Sequence, residues 1–289
     1  MKKLNLLFAS LSTLFVLGLS SCSPNDKYKG DEKTITVCAS ELPHADVLNN
    51  CVKDLLKEKG YELKVTVLEW TIQNQAVSEG DYDANYFQHI PYLSTFKGKG
   101  TKELVASCKV HYEPLGIYRG KSSGDLTNAK TIEICNDESN AIRAFELLKK
   151  KGVISESPVN EDKTKLSFTG DTWTSSNGVK VTLISEELLV TSLVDYDFAC
   201  LPCNTAYTGR VPSSKQVAKE DDPSEVSLKA NVLAIRKYHY LNSDIYKNKI
   251  DALTDALLSE TVSNYFRDTY YGAMTCDSSS QIDLRSSIN

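Results

Sequence analysis

One stretch in the first third of the chain gathers side chains able to grip a small molecule. It reads Asp81-Tyr82-Asp83-Ala84-Asn85-Tyr86-Phe87-Gln88-His89-Ile90-Pro91-Tyr92-Leu93. It follows the breaker Gly80, begins strand-like, and then crowds Tyr86, Phe87, Gln88, His89 and Tyr92 together. Aromatic, amide and imidazole groups at the end of a strand suit the wall of a pocket. The same composition also suits a core turn of buried aromatics. Pro91 fits the first turn of a following helix.

A second constellation lies at Asn136-Asp137-Glu138-Ser139-Asn140-x-x-Arg143. Its first residues supply N-cap candidates and early negative charge for a helix. Asn140 and Arg143 are three apart and share a face of the first turn. A guanidinium beside a helix N-terminus is a natural receptor for a carboxylate; a surface salt bridge is the plainer use of a lone Arg. Trp70 and His111 each follow or end a strand-like run, where they face a cleft or serve as ordinary structural residues. Cys200-x-x-Cys203 has the spacing of a redox pair or half a zinc site. No second such pair and no neighbouring His accompany it, and buried thiols acting as small apolar residues are the favoured reading. No metal or cofactor motif is present.

These groups need a scaffold, and the pattern of the chain provides an α/β one. Thr34 to Ala39 alternates as a strand, Pro43 to Gly60 carries a helical apolar stripe, and Leu63, Val65 and Val67 alternate again. A strand–helix–strand unit implies a parallel sheet, and ligands on such sheets sit beyond the carboxyl ends of the strands. Further strands are expected at 104–111, 131–135, 179–184 and 229–236, with helices over 243–258 and 260–271. Asp195-Tyr196-Asp197 echoes Asp81-Tyr82-Asp83, which suggests two lobes of similar build.

The chain has 289 residues, 41% of them hydrophobic and 25% charged, with a net charge of −5. That describes one large or two medium soluble domains. Interspersed charge and the lack of a basic block beyond Lys149-Lys150-Lys151 argue against nucleic acid as a partner. Residues 1–22 are set apart. Lys2 and Lys3 precede an apolar run from Leu4 to Leu19 that is short for a membrane span, and Leu19-Ser20-Ser21-Cys22 follows. Small residues before a Cys resemble a bacterial lipobox, which implies acylation of Cys22, palmitate included, and anchoring to a membrane at the periplasmic side or cell surface. Residues 23–33 read as a flexible tether.

Several of these runs carry a resemblance. Asp83-Ala84-Asn85-Tyr86-Phe87-Gln88-His89-Ile90-Pro91-Tyr92-Leu93 resembles the Asp-Ala-Asn-Phe-Phe-Gln-His-x-Pro-Tyr-Leu signature of the NlpA-type lipoproteins, the methionine-binding components of ABC importers. His111-x-Glu113-Pro114-Leu115-Gly116-x-Tyr118, Asn136-Asp137-x-Ser139-Asn140-x-x-Arg143-Ala144 and Ala230-Asn231-Val232-Leu233 resemble the same family, in the same order, over about residues 34 to 275. The resemblance implies a two-lobed periplasmic-binding fold, type II-like, with two crossovers and a ligand cleft between the lobes. It divides the chain into 34–117 plus 226–275 as lobe 1 and 118–225 as lobe 2, leaving 276–289 as a frayed tail.

It also implies a ligand-binding set of Trp70, Tyr86, Phe87, His89, Tyr92, His111, Asn140, Arg143, Asn204 and Asn231. In the family, the Arg at the position of Arg143 holds an amino-acid carboxylate, and the Asn at that of Asn204 contacts ligand. The expected partners are a methionine-like amino acid and an ABC permease with its ATPase. The chain departs from the family where Cys38, Cys135 and Cys203 replace glycines or prolines. An extracellular thiol-dependent enzyme, using a Cys with His111 or His89, is the alternative class; a binder of another small amino acid or a short peptide is the alternative within the first.

Overall fold

The computed structural model describes residues 27–96 and 98–289. The leader, Cys22 and the first part of the tether therefore lie outside the described residues. The strands are β1 (Thr34–Ala39), β2 (Glu62–Val67), β3 (Ala84–His89), β4 (Leu104–His111), β5 (Leu115–Arg119), β6 (Thr131–Cys135), β7 (Thr172–Thr174), β8 (Lys180–Ile184), β9 (Phe198–Pro202), β10 (Gln216–Lys219), β11 (Asn231–Arg236) and β12 (Ile282–Asp283).

They form two six-stranded sheets, ordered β12-β4-β11-β3-β1-β2 and β10-β5-β9-β6-β8-β7. In the first, β1 runs parallel to β2 and β3, while β11 runs antiparallel to both β3 and β4. The second repeats the plan, with β6 parallel to β8 and β9 and β5 antiparallel to β9. The chain leaves lobe 1 between β4 and β5 and returns between β10 and β11. This is the two-lobed α/β fold with two crossovers that the sequence implied.

Helices cover each sheet because their apolar residues recur at helical spacing. Helix Asp244–Leu257 presents Tyr246, Ile250, Leu253 and Leu257 to the first sheet, and helix Glu138–Lys150 presents Ala141, Ala144, Phe145 and Leu148 to the second. Asp137 caps the latter, its carboxylate accepting the Asn140 amide at 3.0 Å. That bond satisfies one orphan donor of the first turn and fixes where Asn140 and Arg143 point.

Three expectations need correction. The first crossing falls at Leu115, where β5 begins in the second sheet, and not after Ile117. The C-terminal residues do not fray: β12 adds to the edge of β4, Ser280 is buried, and Arg285 pairs with Asp255 and Asp283. Backbone pairing and ion pairs offset a polar, Ser-rich composition that by itself suggests disorder. The tether is also docked in part. The Tyr28 ring packs edge-on against Tyr246, and its hydroxyl donates to Asp83 at 2.6 Å, beside the buried Lys249–Asp83 pair at 2.7 Å.

Candidate functional site

The carboxyl ends of β1, β2 and β3 point at the gap between the lobes, as do those of β6, β8 and β9. The residues just past these ends line a small, half-open space of about 70 Å³, room for a small ligand group or several waters. Lobe 1 contributes Trp70, Phe87, His89, Tyr92 and Asn231, and lobe 2 contributes Asn140, Arg143 and Asn204. These are eight of the ten residues singled out from the sequence.

The other two stand behind the wall. Tyr86 and His111 are fully buried in lobe 1, bonded to each other at 2.5 Å between the hydroxyl and Nδ1. His111 stacks on Phe266, and its Nε2 lies 2.9 Å from Glu113 Oε1. Strand alternation explains the placement: Tyr86 lies on the core face of β3, whereas Phe87 and His89 point to the other. Cys38, Cys135 and Cys203 are likewise buried in the lobes and do not line the space.

The aromatic wall is a set of edge-to-face contacts. Trp70 and Tyr92 have ring centroids 5.3 Å apart, and Phe87 and Tyr92 are 5.8 Å apart. Such contacts hold the rings in place without help from a ligand. Trp70 opens helix Trp70–Glu79, and its indole N–H donates across the gap to Glu187 at 3.3 Å.

His89 joins the two lobes. Its Nδ1 accepts the Tyr92 amide at 3.1 Å, so Nε2 carries the proton and donates to Asn140 Oδ1, also at 3.1 Å. Burial, with the Arg143 charge adding to it, pushes the His89 pKa down to about 4. The ring is therefore neutral at pH 7.

Arg143 is not the free cation that the sequence suggested. Its Nε donates to Glu220 Oε1 at 2.7 Å and its Nη2 to Glu220 Oε2, while Nη2 also reaches the Glu113 carbonyl at 2.5 Å. Glu220 in turn accepts from Lys229 at 2.8 Å, the Tyr112 hydroxyl at 2.7 Å and the Leu115 amide at 2.9 Å. These partners hold Glu220 at about 2 despite its burial, Arg143 first among them. The guanidinium also lies 5.7 Å from the Tyr112 ring centroid, and Arg143 lines the space from lobe 2.

Other polar atoms converge there. Among the described residues, Asn204 Oδ1 is buried without a hydrogen-bond partner, an acceptor in want of a donor. Asn231 sits opposite both His89 and His111 in the sheet register, and its Oδ1 faces His44 Nε2 at 3.2 Å. Ser40, Gln88, Glu113, Glu186 and Pro202 complete the lining and were not singled out from the sequence. Ser40 and Glu186 follow the carboxyl ends of β1 and β8, so the rule that placed Trp70 could have found them. Burial raises the Glu113 carboxyl to about 7, against the lowering pull of His44 and Arg143. A larger groove of about 600 Å³ shares His89 and Arg143 with this space, takes in Glu220 and Lys229, and runs out along helix Glu138–Lys150. The smaller space is the better candidate because the aromatic wall and the convergent amides line it and not the groove.

His44, His111 and Glu113 bring three potential metal-ligand atoms within 4.8 Å of one another. Each already has a protein partner, His44 Nε2 on Asn231 and His111 between Tyr86 and Glu113, although His44 Nδ1 is buried without one among the described residues. Cys200 and Cys203 offer no thiolate, since burial drives both pKa values up.

Comparison with known proteins now adds to the geometry. The family model described as NlpA lipoprotein matches residues 35–276. This chain belongs to the NlpA lipoprotein family. A methionine-binding lipoprotein MetQ of Bacillus subtilis is 32% identical over 281 residues, 95% of this chain and 98% of its own. A solved structure of a putative methionine-binding lipoprotein from B. subtilis has a TM-score of 0.72 at 30% identity, covering 85% of this chain and 98% of that one. A nutrient-binding protein from Burkholderia cenocepacia, solved bound to methionine, has a TM-score of 0.71 at 27% identity, covering 84% and 99%. These relatives are binding proteins by name, not enzymes, and the reading of this chain as a binder stands with them. Among the described residues, no helix is long and apolar enough to cross a membrane.

Proposed function

We propose that this NlpA lipoprotein captures L-methionine or a close analogue between its lobes and delivers it to an ABC permease with its ATPase. The observation that carries this is the division of the space between the lobes into an aromatic side and a polar side. Trp70, Phe87 and Tyr92 offer a slot for a thioether, which gains dispersion and sulfur–aromatic contact. Arg143 is the cation at the polar side and would receive a ligand carboxylate. Glu113 and the orphan acceptor Asn204 Oδ1 suit an α-ammonium, with Asn140 and Asn231 flanking it.

Burying a methionine-sized side chain contributes about 1.5–3 kcal/mol. Micromolar binding needs about 8 kcal/mol, so the charged head group must supply much of the rest. Cys22 would carry the acyl anchor that keeps the protein at the membrane, on the periplasmic side or cell surface.

Calorimetry of ligand-stripped protein with L-methionine tests the ligand. Saturable one-to-one binding at micromolar or lower concentration is expected, and none at millimolar concentration would reject it. Mass spectrometry of the mature N-terminus tests the anchor. The expected finding is a diacylated or triacylated Cys22, and an unlipidated N-terminus would refute it.

A further inference from the structure

Two acidic side chains line the space, Glu113 and Glu186. Glu113 has His44 and His111 beside it at 3.6 and 2.9 Å, so Glu186 is the acid of the space that lacks a basic neighbour among the described residues. This residue opens the short helical segment after β8 and enters the space from lobe 2.

Its Oε1 accepts the Thr205 hydroxyl at 2.6 Å, and no cation lies within ion-pair distance of it among the described residues. The acidic Asp137, Glu113 and Glu187 are its charged neighbours, and burial, aided by them, raises its carboxyl to about 7. Glu186 is also within electrostatic range of Tyr92, and the adjoining Glu187 accepts the Trp70 indole N–H. The carboxylate therefore stands at the aromatic side of the space. Aromatic faces attract cations through the ring quadrupole, and a buried carboxylate without a counter-charge is costly until a cation meets it.

We propose that Glu186, together with the Trp70–Tyr92–Phe87 wall, selects an amino acid whose side chain ends in a compact positive charge, a sulfonium or an ammonium, over one ending in a neutral thioether. This rests on the amino-acid reading of the space given above and refines the ligand within it. A sulfonium derived from methionine keeps the polarisable sulfur that suits the wall and adds the charge that Glu186 lacks.

The test is calorimetry at pH 8, where the carboxylates are ionised, on ligand-stripped wild type, Glu186→Gln and Glu186→Asp. The titrants are L-methionine, L-norleucine, S-methyl-L-methionine and L-lysine. The expected result is that wild type binds S-methyl-L-methionine or L-lysine at least about tenfold tighter than L-methionine. Which of the two is tighter identifies the onium class. The preference should collapse toward unity in Glu186→Gln and survive in Glu186→Asp, with circular dichroism confirming the fold of each.

Methionine binding as tightly as both cations in wild type would overturn the proposal while leaving the amino-acid reading in place. So would a preference that persists in Glu186→Gln. Failure of all four to bind would overturn the amino-acid reading and this proposal with it.

Discussion

His89 in lobe 1 donates a hydrogen bond to Asn140 in lobe 2 at 3.1 Å, so the two lobes are joined directly through residues that line the space between them. A hinge that closes on its ligand needs contacts that exist only in the closed form, because only those bias the two states. A neutral hydrogen bond contributes about 0.5–1.5 kcal/mol net. Asn140→Ala should therefore weaken ligand binding about 2- to 12-fold. It should also increase the radius of gyration of the unliganded protein in small-angle scattering. His89→Ala should do the same, and the double variant should lose less than the sum, since both remove one contact. Additive losses in calorimetry would show that the bond does not link the lobes in solution.

The buried ionisable groups predict a particular stability profile. Burial depresses His44 and His89 to about 4 and His111 to about 3. For these three the unfolded chain binds more protons between the folded values and 6.5, so stability falls as pH drops through that window. Burial raises Glu113, Glu133 and Glu186 to about 7. For these the folded chain binds more protons between 4.5 and 7, so stability falls as pH rises there. The two sets oppose each other over 4.5–7. Below 4.5 the glutamate contribution is complete, while the histidines still charge and Glu220, held at about 2, begins to lose its ion pair. Thermal melting of unliganded protein should show a midpoint that is nearly flat from pH 7 to 5 and falls steeply below 4.5. A steep decline that begins at pH 6.5 would show that the histidines outweigh the glutamates.

The Cys200-x-x-Cys203 pair should be chemically idle. Cys200 is buried in β9, and Cys203 accepts the Tyr118 hydroxyl at 3.4 Å inside lobe 2. Thiols whose pKa is raised by burial are poor nucleophiles. Cys200→Ala/Cys203→Ala should keep ligand affinity within about threefold and lower the melting temperature modestly, since each change removes a small buried group. Native protein should also resist a thiol reagent at pH 8. Disulfide reductase activity that disappears in the double variant would contradict the binding reading.

Much of this was legible in the sequence because the relevant signals are local. Strand alternation and helical stripes fix both sheets and their covering helices. The run from Asp83 to Leu93 fixes the aromatic wall, and the Asp137 cap fixes the aim of Asn140 and Arg143. The long-range facts were not legible. Nothing near Arg143 in sequence announces Glu220, which arrives from the far side of lobe 2 just after β10. Tyr86 and Phe87 are adjacent and similar, and only the pleat decides which of them meets the space. The tail reads as disordered from its serines, yet β4 has an open edge that Ile282 and Asp283 complete. Glu186 lay in plain view, but its importance depends on Thr205 and the aromatic residues of the other lobe.

The Arg143–Glu220 pair changes how the carboxylate contact must be tested. Both members are buried, with side-chain exposures of 6% and 7%. Removing one partner of a buried pair typically costs about 3–5 kcal/mol of stability, because the other charge is left uncompensated. Lys229 and the Tyr112 hydroxyl remain on Glu220 and should keep the loss toward the lower end. Arg143→Ala should thus lower the melting temperature as well as the affinity, and the affinity loss alone cannot separate a contact from a distortion.

Arg143→Lys separates them. A lysine retains charge for Glu220 but has no planar fork, so it cannot hold Glu220 and a ligand carboxylate together. Its melting temperature should lie closer to wild type than that of Arg143→Ala, while affinity for L-methionine still falls at least about tenfold. Losing a desolvated charged contact costs about 2–5 kcal/mol, roughly 30- to several-thousand-fold in affinity, which sets the range for Arg143→Ala. The methyl ester of L-methionine should bind wild type weakly. It should bind both variants no more weakly than L-methionine does, because ester and substitution remove the same interaction. Phe87→Leu should cost less than either, since it trims packing alone. Calorimetry on the four proteins with both ligands gives the full comparison. An ester that binds wild type as tightly as the free acid would remove Arg143 from the binding site and leave it as the partner of Glu220 alone.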